Sequence, residues 1–251
     1  MAEKKPDGYV GKFALVLHAQ LPWVLNHGLW PHGMNWIYEA AAETYIPILR
    51  ECDKVLLDGY EPHFTIDISP VLCEMLASDV FKTGFLEYCN NKMEWAEKDY
   101  EEFEDRGDLS EAERENFLRM ASWWNDFYAD TIKYFEEELD GSVLGKFKQL
   151  QDDGYIEITS CAATHGYAAL LSRESSINAQ FKVAHDNYVK HFEKEPNGTW
   201  LAECAYRPGY RWKKPISENP DEKAHYRPGV EKFLSKNGYK YFFVDTAMLM
   251  G

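Results

Sequence analysis

Tyr155–Cys161 reads YIEITSC and follows Asp152-Asp153-Gly154. Glycine readily takes the left-handed turn at a helix end, so a helix stops at this point and a strand-like run begins. Working outward, the same change of rhythm recurs. Toward the N-terminus lie Phe13–His18 (FALVLH) and His63–Ile68 (HFTIDI), and toward the C-terminus lie Thr199–Cys204 (TWLAEC) and Lys240–Asp245 (KYFFVD). Short apolar runs alternating with longer helical stretches are the pattern of a βα-repeated parallel sheet or barrel.

Between the second and third runs, the acidic stretch Val71–Asp153 changes period. Phe117, Met120, Ala121, Trp124, Phe127 and Tyr128 recur at helical spacing, which predicts an inserted helical subdomain over 71–153. No internal repeat is visible, and Lys213–His225 (KKPISENPDEKAH) reads as a polar, proline-broken loop.

Composition narrows the function. A chain of 251 residues can bury a core as one α/β barrel or as a domain with an insertion. Its 27 basic and 42 acidic residues give a formal charge of −15, which repels phosphate backbones and anionic lipid headgroups. Neither nucleic acid nor a membrane surface is therefore the expected partner. The 8 Trp, 16 Tyr and 14 Phe belong mostly to a core, but flat rings beside hydroxyl-bearing groups also suit a neutral, polyhydroxylated ligand. Five cysteines without a CxxC spacing indicate neither a disulfide framework nor a zinc knuckle and fit a reducing compartment. The polar MAEKKPDGYVGK start lacks the apolar stretch of a secretory signal, and no run of about 18 apolar residues occurs. The expected location is cytoplasmic, and Asn197-Gly198-Thr199 then reads as a turn rather than a glycosylation site.

The polar residues fall in a pattern of their own. In parallel αβ architectures the site forms at the C-terminal ends of the strands, where the following loops converge. His18, Asp67, Glu203 and Asp245 lie at or near the ends of their runs, and His165 follows the third. Each alone is as well explained by a helix cap or a satisfied core histidine; five together favour a catalytic or metal-binding rim. Glu203 closes an otherwise apolar run flanked by Trp200, Tyr206, Arg207 and Trp212. It reads either as a carboxylate paired with Arg207 to anchor the turn or as a glycosidase nucleophile among aromatic platforms.

Three segments carry a resemblance: LVLHAQLP (15–22), EITSCAATHGYAALL (157–171) and TWLAECAYRPG (199–209). In order and separation they resemble the signature motifs of family-57 glycoside hydrolases, specifically those of the α-1,4-glucan branching type. The similarity also takes in WIYEAAAETYIPIL (36–49) and the closing GYKYFFVDTAMLMG (238–251). The resemblance implies a (β/α)7 barrel with a helical insertion after the second strand, represented here by about five strands. It implies retaining cleavage of an α-1,4 bond in amylose or glycogen and transfer to a 6-hydroxyl, as in glycogen biosynthesis, without metal or cofactor. By motif, Glu203 matches the nucleophile, and His18 and His165 match histidines lining the adjacent subsite. Gln20, Trp36, Arg207 and Asp245 are the further expected substrate-binding residues. Gln20 stands where the family usually has His, and Ala169 and Ala202 stand where Pro is common, which loosens the backbone without deleting a catalytic group.

The family's general acid lies on a later strand than these residues reach. The chain alone is thus expected to be inactive and to self-associate through the open edges of an incomplete barrel. An amylase or 4-α-glucanotransferase of the same family fits the same motifs. From other classes, His18, Asp67 and His165 could form the metal site of a polysaccharide deacetylase-like barrel, or the chain could be a non-catalytic glucan-binding module.

Overall fold

A computed structural model describes residues 11–249 apart from 215, 217, 218, 220 and 222. Residues 1–10, read above as a polar lead-in, lie outside this range, as do five positions of the proline-broken loop. In chain order the elements begin with β1 (Val16–Ala19), α1 (Met34–Ala40), α2 (Ile46–Leu57), β2 (Phe64–Ile68), α3 (Pro70–Leu76), α4 (Asp79–Asp105), α5 (Glu111–Glu137) and α6 (Val143–Asp152). They continue with β3 (Ile156–Cys161), α7 (Glu174–Phe192), β4 (Gly198–Trp200), β5 (Tyr210–Trp212), β6 (His225–Arg227), α8 (Val230–Lys236) and β7 (Tyr241–Phe242).

Five strands form one parallel sheet in the order β1-β2-β3-β4-β7, while β5 and β6 make a separate antiparallel pair. The α/β class and the helical connections are those expected. The sheet does not close into a barrel, because β1 and β7 lie at its two ends.

The first run is a strand only from Val16, and two others end earlier than their sequence suggests. The fourth leaves the sheet after Trp200, and Ala202–Cys204 form a 3₁₀ turn with Glu203 at φ 56°, ψ 28°. Glu203 therefore sits in a turn beyond its strand rather than at the end of one. The reason is pairing: only Thr199 and Trp200 find partners on β3. The fifth is a strand only at Tyr241–Phe242, which leaves Asp245 in the loop that follows. The Asn197-Gly198-Thr199 triplet, expected as a turn, instead opens β4. Gly198 is buried against the Tyr241 ring, where an added Cβ would stand 2.3 Å from a ring carbon.

The helical stretch after β2 follows its local signals. Ser78 caps α4 by accepting from the Phe81 N–H. Ser110 and Glu113 cap α5 reciprocally, each side chain taking the other's backbone N–H. The two 27-residue helices pack along each other through Phe85, Tyr88, Tyr128 and Phe135. Gly154, at φ 84°, ends the stretch as expected. A π-helical turn, Ala41–Tyr45, links α1 to α2. Pro47 follows it; proline has no N–H for the turn before it, and the wider turn accommodates that loss. One large hydrophobic cluster spans β1–β3 and the helices around them, and a smaller one joins α7, α8 and the Leu201 region.

Candidate active site

Register brings the first three polar groups together. His18 on β1 lies beside Asp67 on β2, and Asp67 lies beside Thr159 on β3, so all three occupy one level of the sheet. His18 Nδ1 and Asp67 Oδ2 share a hydrogen bond of 2.7 Å, and the Thr159 hydroxyl donates to Asp67 Oδ1 at 3.4 Å. The Asp67 side chain is 0% exposed while that of His18 is 25% exposed. Burial pushes the Asp67 carboxyl above the usual carboxylate range, and its bonds to His18 and Thr159 oppose that push. The pair thus orients the His18 ring from behind and leaves its Nε2 edge free of this bond.

The ring of His18 is sandwiched. His165 stacks on it at 5.0 Å between centroids and Trp200 at 4.7 Å, with interplanar angles of 29° and 15°. His165 comes from the loop after β3, where it takes φ 54° and its N–H donates to the Ala162 carbonyl. Its side chain is 14% exposed, and Nε2 approaches Glu203 Oε1 at 3.8 Å. Its Nδ1 is buried without a hydrogen-bond partner. Burial first, and the neighbouring His18 second, hold His165 below the usual imidazole range, with Glu203 pulling the other way.

Glu203 and the next residue, Cys204, both adopt left-handed backbone, at φ 56° and 52°. This conformation costs a non-glycine residue about 1–2 kcal/mol, and strain of that kind concentrates where a side chain must be presented in one direction. The Glu203 side chain is 77% exposed. Water, rather than a set of protein donors, therefore solvates most of its carboxylate. Among the described residues its ion-pair partner is His165, and the Arg207 pairing weighed from sequence does not occur. Arg207 is exposed and sits over the Tyr210 ring at 5.8 Å.

The remaining expected residues scatter. Gln20 is half-buried just after β1. Trp36 is exposed on α1 and tilts onto His32 at 5.9 Å rather than onto the stacked rings. Asp245 is exposed and accepts from the Ala247 N–H at 2.9 Å, a turn-capping contact, although its charge does reach the Cys204 thiol. Of the aromatic residues proposed as platforms around Glu203, Trp200 faces the site, Tyr206 packs on Phe242 and Trp212 is buried.

Two residues that matter were not singled out from sequence. Thr159 is legible once the register is known. Arg227 carried no signal, since a buried arginine is rare and its sequence context, HYRPG, reads as a loop. Among the described residues no group of three or more His, Cys, Asp or Glu side chains could hold a metal ion, so His18, Asp67 and His165 do not form the metal site considered above. A cleft of about 570 Å³ lies elsewhere, lined by Leu29, Tyr38, Glu87 and Trp95 among others and by none of the stacked rings. No helix of the described residues is long and apolar enough to cross a membrane.

Comparison with known proteins places this geometry. The profile of glycosyl hydrolase family 57 matches residues 14–250. A 1,4-alpha-glucan branching enzyme of Thermococcus kodakarensis is 37% identical over 239 residues, covering 95% of this chain and 33% of that protein. The crystal structure of a branching enzyme from Pyrococcus horikoshii superposes with a TM-score of 0.84 at 40% identity, over 95% of this chain and 42% of the other. That of an alpha-amylase from Thermotoga maritima gives a TM-score of 0.75 at 31% identity, over 94% and 40%. The chain spans about a third of the length of the curated relatives it matches.

Proposed function

Because the chain belongs to glycosyl hydrolase family 57, we propose that it is the nucleophile-bearing part of a retaining 1,4-α-glucan branching enzyme. The observation that carries this reading is Glu203: a carboxylate on strained, left-handed backbone, open to solvent and 3.8 Å from His165, an outer member of a stacked ring array. In the proposed reaction a Glu203 oxygen attacks the anomeric carbon, the bond to the leaving 4-oxygen breaks, and a glycosyl ester forms. The leaving oxygen takes its proton from a second carboxylic acid, which none of the motifs here supplies. The 6-hydroxyl of an acceptor glucan then loses its proton to that same group and displaces Glu203, so the two inversions give net retention.

His165 and His18 line the subsite beside the nucleophile, with Asp67 fixing the His18 ring and Trp200 closing the stack. Gln20, Trp36, Arg207 and Asp245 act as substrate contacts around this centre. The 71–153 segment is the helical insertion of the barrel, and glycogen synthesis in the cytoplasm is the setting. The two unpaired sheet ends, β1 and β7, support self-association of these residues alone, to be seen in light scattering as a mass above 29.2 kDa.

The Thermotoga amylase similarity supports a second reading, in which water replaces the 6-hydroxyl as acceptor. The test is Glu203→Gln in a chain extended to the length of its relatives. The amide is nearly isosteric but cannot form the ester, so transfer to amylose, followed by iodine staining and by the proton signal of α-1,6 branch points, should fall by several orders of magnitude with the fold intact. Near wild-type transfer would remove Glu203 as nucleophile, and reducing ends released without branch points would select the amylase reading.

A further inference from the structure

Arg227 is 2% exposed, yet among the described residues it makes no ion pair within 4 Å, although the charge of Glu174 reaches it. A buried guanidinium with no carboxylate in contact needs other acceptors for its five N–H groups. It finds them in one short stretch of backbone: its Nη2 donates to the Ala168 carbonyl, and its Nη1 donates to Leu171 at 2.7 Å and to Ala169 at 3.3 Å. Its other face lies over the Trp212 ring at 5.5 Å. Burial holds its pKa below the ordinary arginine value.

The place of these contacts is what matters. The three carbonyls belong to the loop after β3 that carries His165, which turns back through the Leu170 N–H to Tyr167 bond. Trp212 and Arg227 belong to the paired strands β5 and β6, in register with Tyr210↔Arg227 and Trp212↔His225, and β5 begins seven residues after Glu203. One side chain thus ties the loop that carries His165 to the hairpin that continues from Glu203. No sheet hydrogen bond does this, because the pairing of β3 with β4 ends at Trp200.

We propose that Arg227 is a positioning residue, whose guanidinium clamps the 168–171 backbone and so sets the approach of His165 to Glu203. It touches neither substrate nor reacting atoms. The inference builds on the proposed function for its catalytic meaning, but its geometric content can be read without any glucan chemistry.

The experiment uses the 251-residue chain, labelled with ¹⁵N in histidine and backbone, with Arg227→Ala and Arg227→Lys compared to wild type. A Lys ammonium keeps the charge but cannot span three carbonyls in a planar fork. Both variants should keep the far-UV circular dichroism of the wild type while amide exchange at His165 and Leu170 accelerates at least about tenfold. The His165 titration should move up toward the ordinary imidazole value as its ring leaves the buried position beside His18 and Glu203, while amide exchange along α7 does not change. Methylguanidinium added to Arg227→Ala should restore both signals. Folded variants with unchanged exchange and unchanged His165 titration would overturn the proposal. Collapse of the circular dichroism in both variants would overturn it too, by making Arg227 a folding residue rather than a positioning one. A failure of Glu203 as nucleophile would appear in the transfer assay and leave these signals where they are.

Discussion

The stacked rings at the ends of the strands and the exposed rings on the α4–α5 hairpin look alike on paper. In the hairpin, Trp123, Trp124 and Phe127 pack within one helix at 4.8–5.5 Å, because Phe127 lies three and four residues beyond the two tryptophans and so shares their surface. At the rim, His18, His165 and Trp200 reach similar separations from β1, from the loop after β3 and from β4. Helix geometry alone arranges the first group, and parallel register together with that loop arranges the second. The difference teaches where vulnerability lies: a change in the hairpin should stay local, whereas a change behind the rim should spread to every group the register holds there.

The largest expected effect follows from Asp67, the buried hinge of that register. Asp67→Ala leaves His18 Nδ1 and the Thr159 hydroxyl without their shared partner and opens a void beneath the rings. A loss of about 2 kcal/mol in urea unfolding is expected, with broadening of the His18 and His165 imidazole signals. Full stability with unchanged signals would mean that the stack stands without its carboxylate.

A smaller effect concerns pH. His165 is held below the usual imidazole range, so the unfolded chain takes up its proton first as pH falls. Its contribution to stability is complete above about pH 6.5 and is lost progressively below it, down through the folded value. Replacing His165 with Gln should therefore flatten the fall in urea midpoint between neutral and mildly acidic pH. A parallel fall in variant and wild type would assign that dependence to other groups.

The smallest effect belongs to the hairpin. Ser110→Ala removes the hydroxyl that accepts from the Glu113 N–H and leaves the Ser110 N–H on the Glu113 carboxylate, at a cost of about 1 kcal/mol. Hydrogen exchange should rise in the first turn of α5 while His165 and Trp200 keep their spectra. A change at the rim would break the contrast between local and register-held regions.

Much of this molecule could be read before it was seen folded. Period changes at Tyr155, His63 and Phe13 marked the strands of the sheet, because alternation and helical spacing are local properties of the chain. Gly154 ended the helical stretch for the same reason. The motifs around His18, His165 and Glu203 also named the residues that the structure brings to one rim, and those residues follow from the sequence because each lies at or just beyond the C-terminal end of a strand. What the sequence could not express is how far each strand runs and what stands behind each site residue. The fourth run stopped at Trp200 because β3 offered it no further partners. Glu203 consequently turned into left-handed backbone and out to water, where an apolar strand end had been expected. Arg227, 24 positions further on, reached the His165 loop only through the β5–β6 pairing. A hydrogen bond between distant segments depends on the path of everything between them. Tertiary structure alone therefore decided that a buried arginine, rather than the neighbouring Arg207, braces this site.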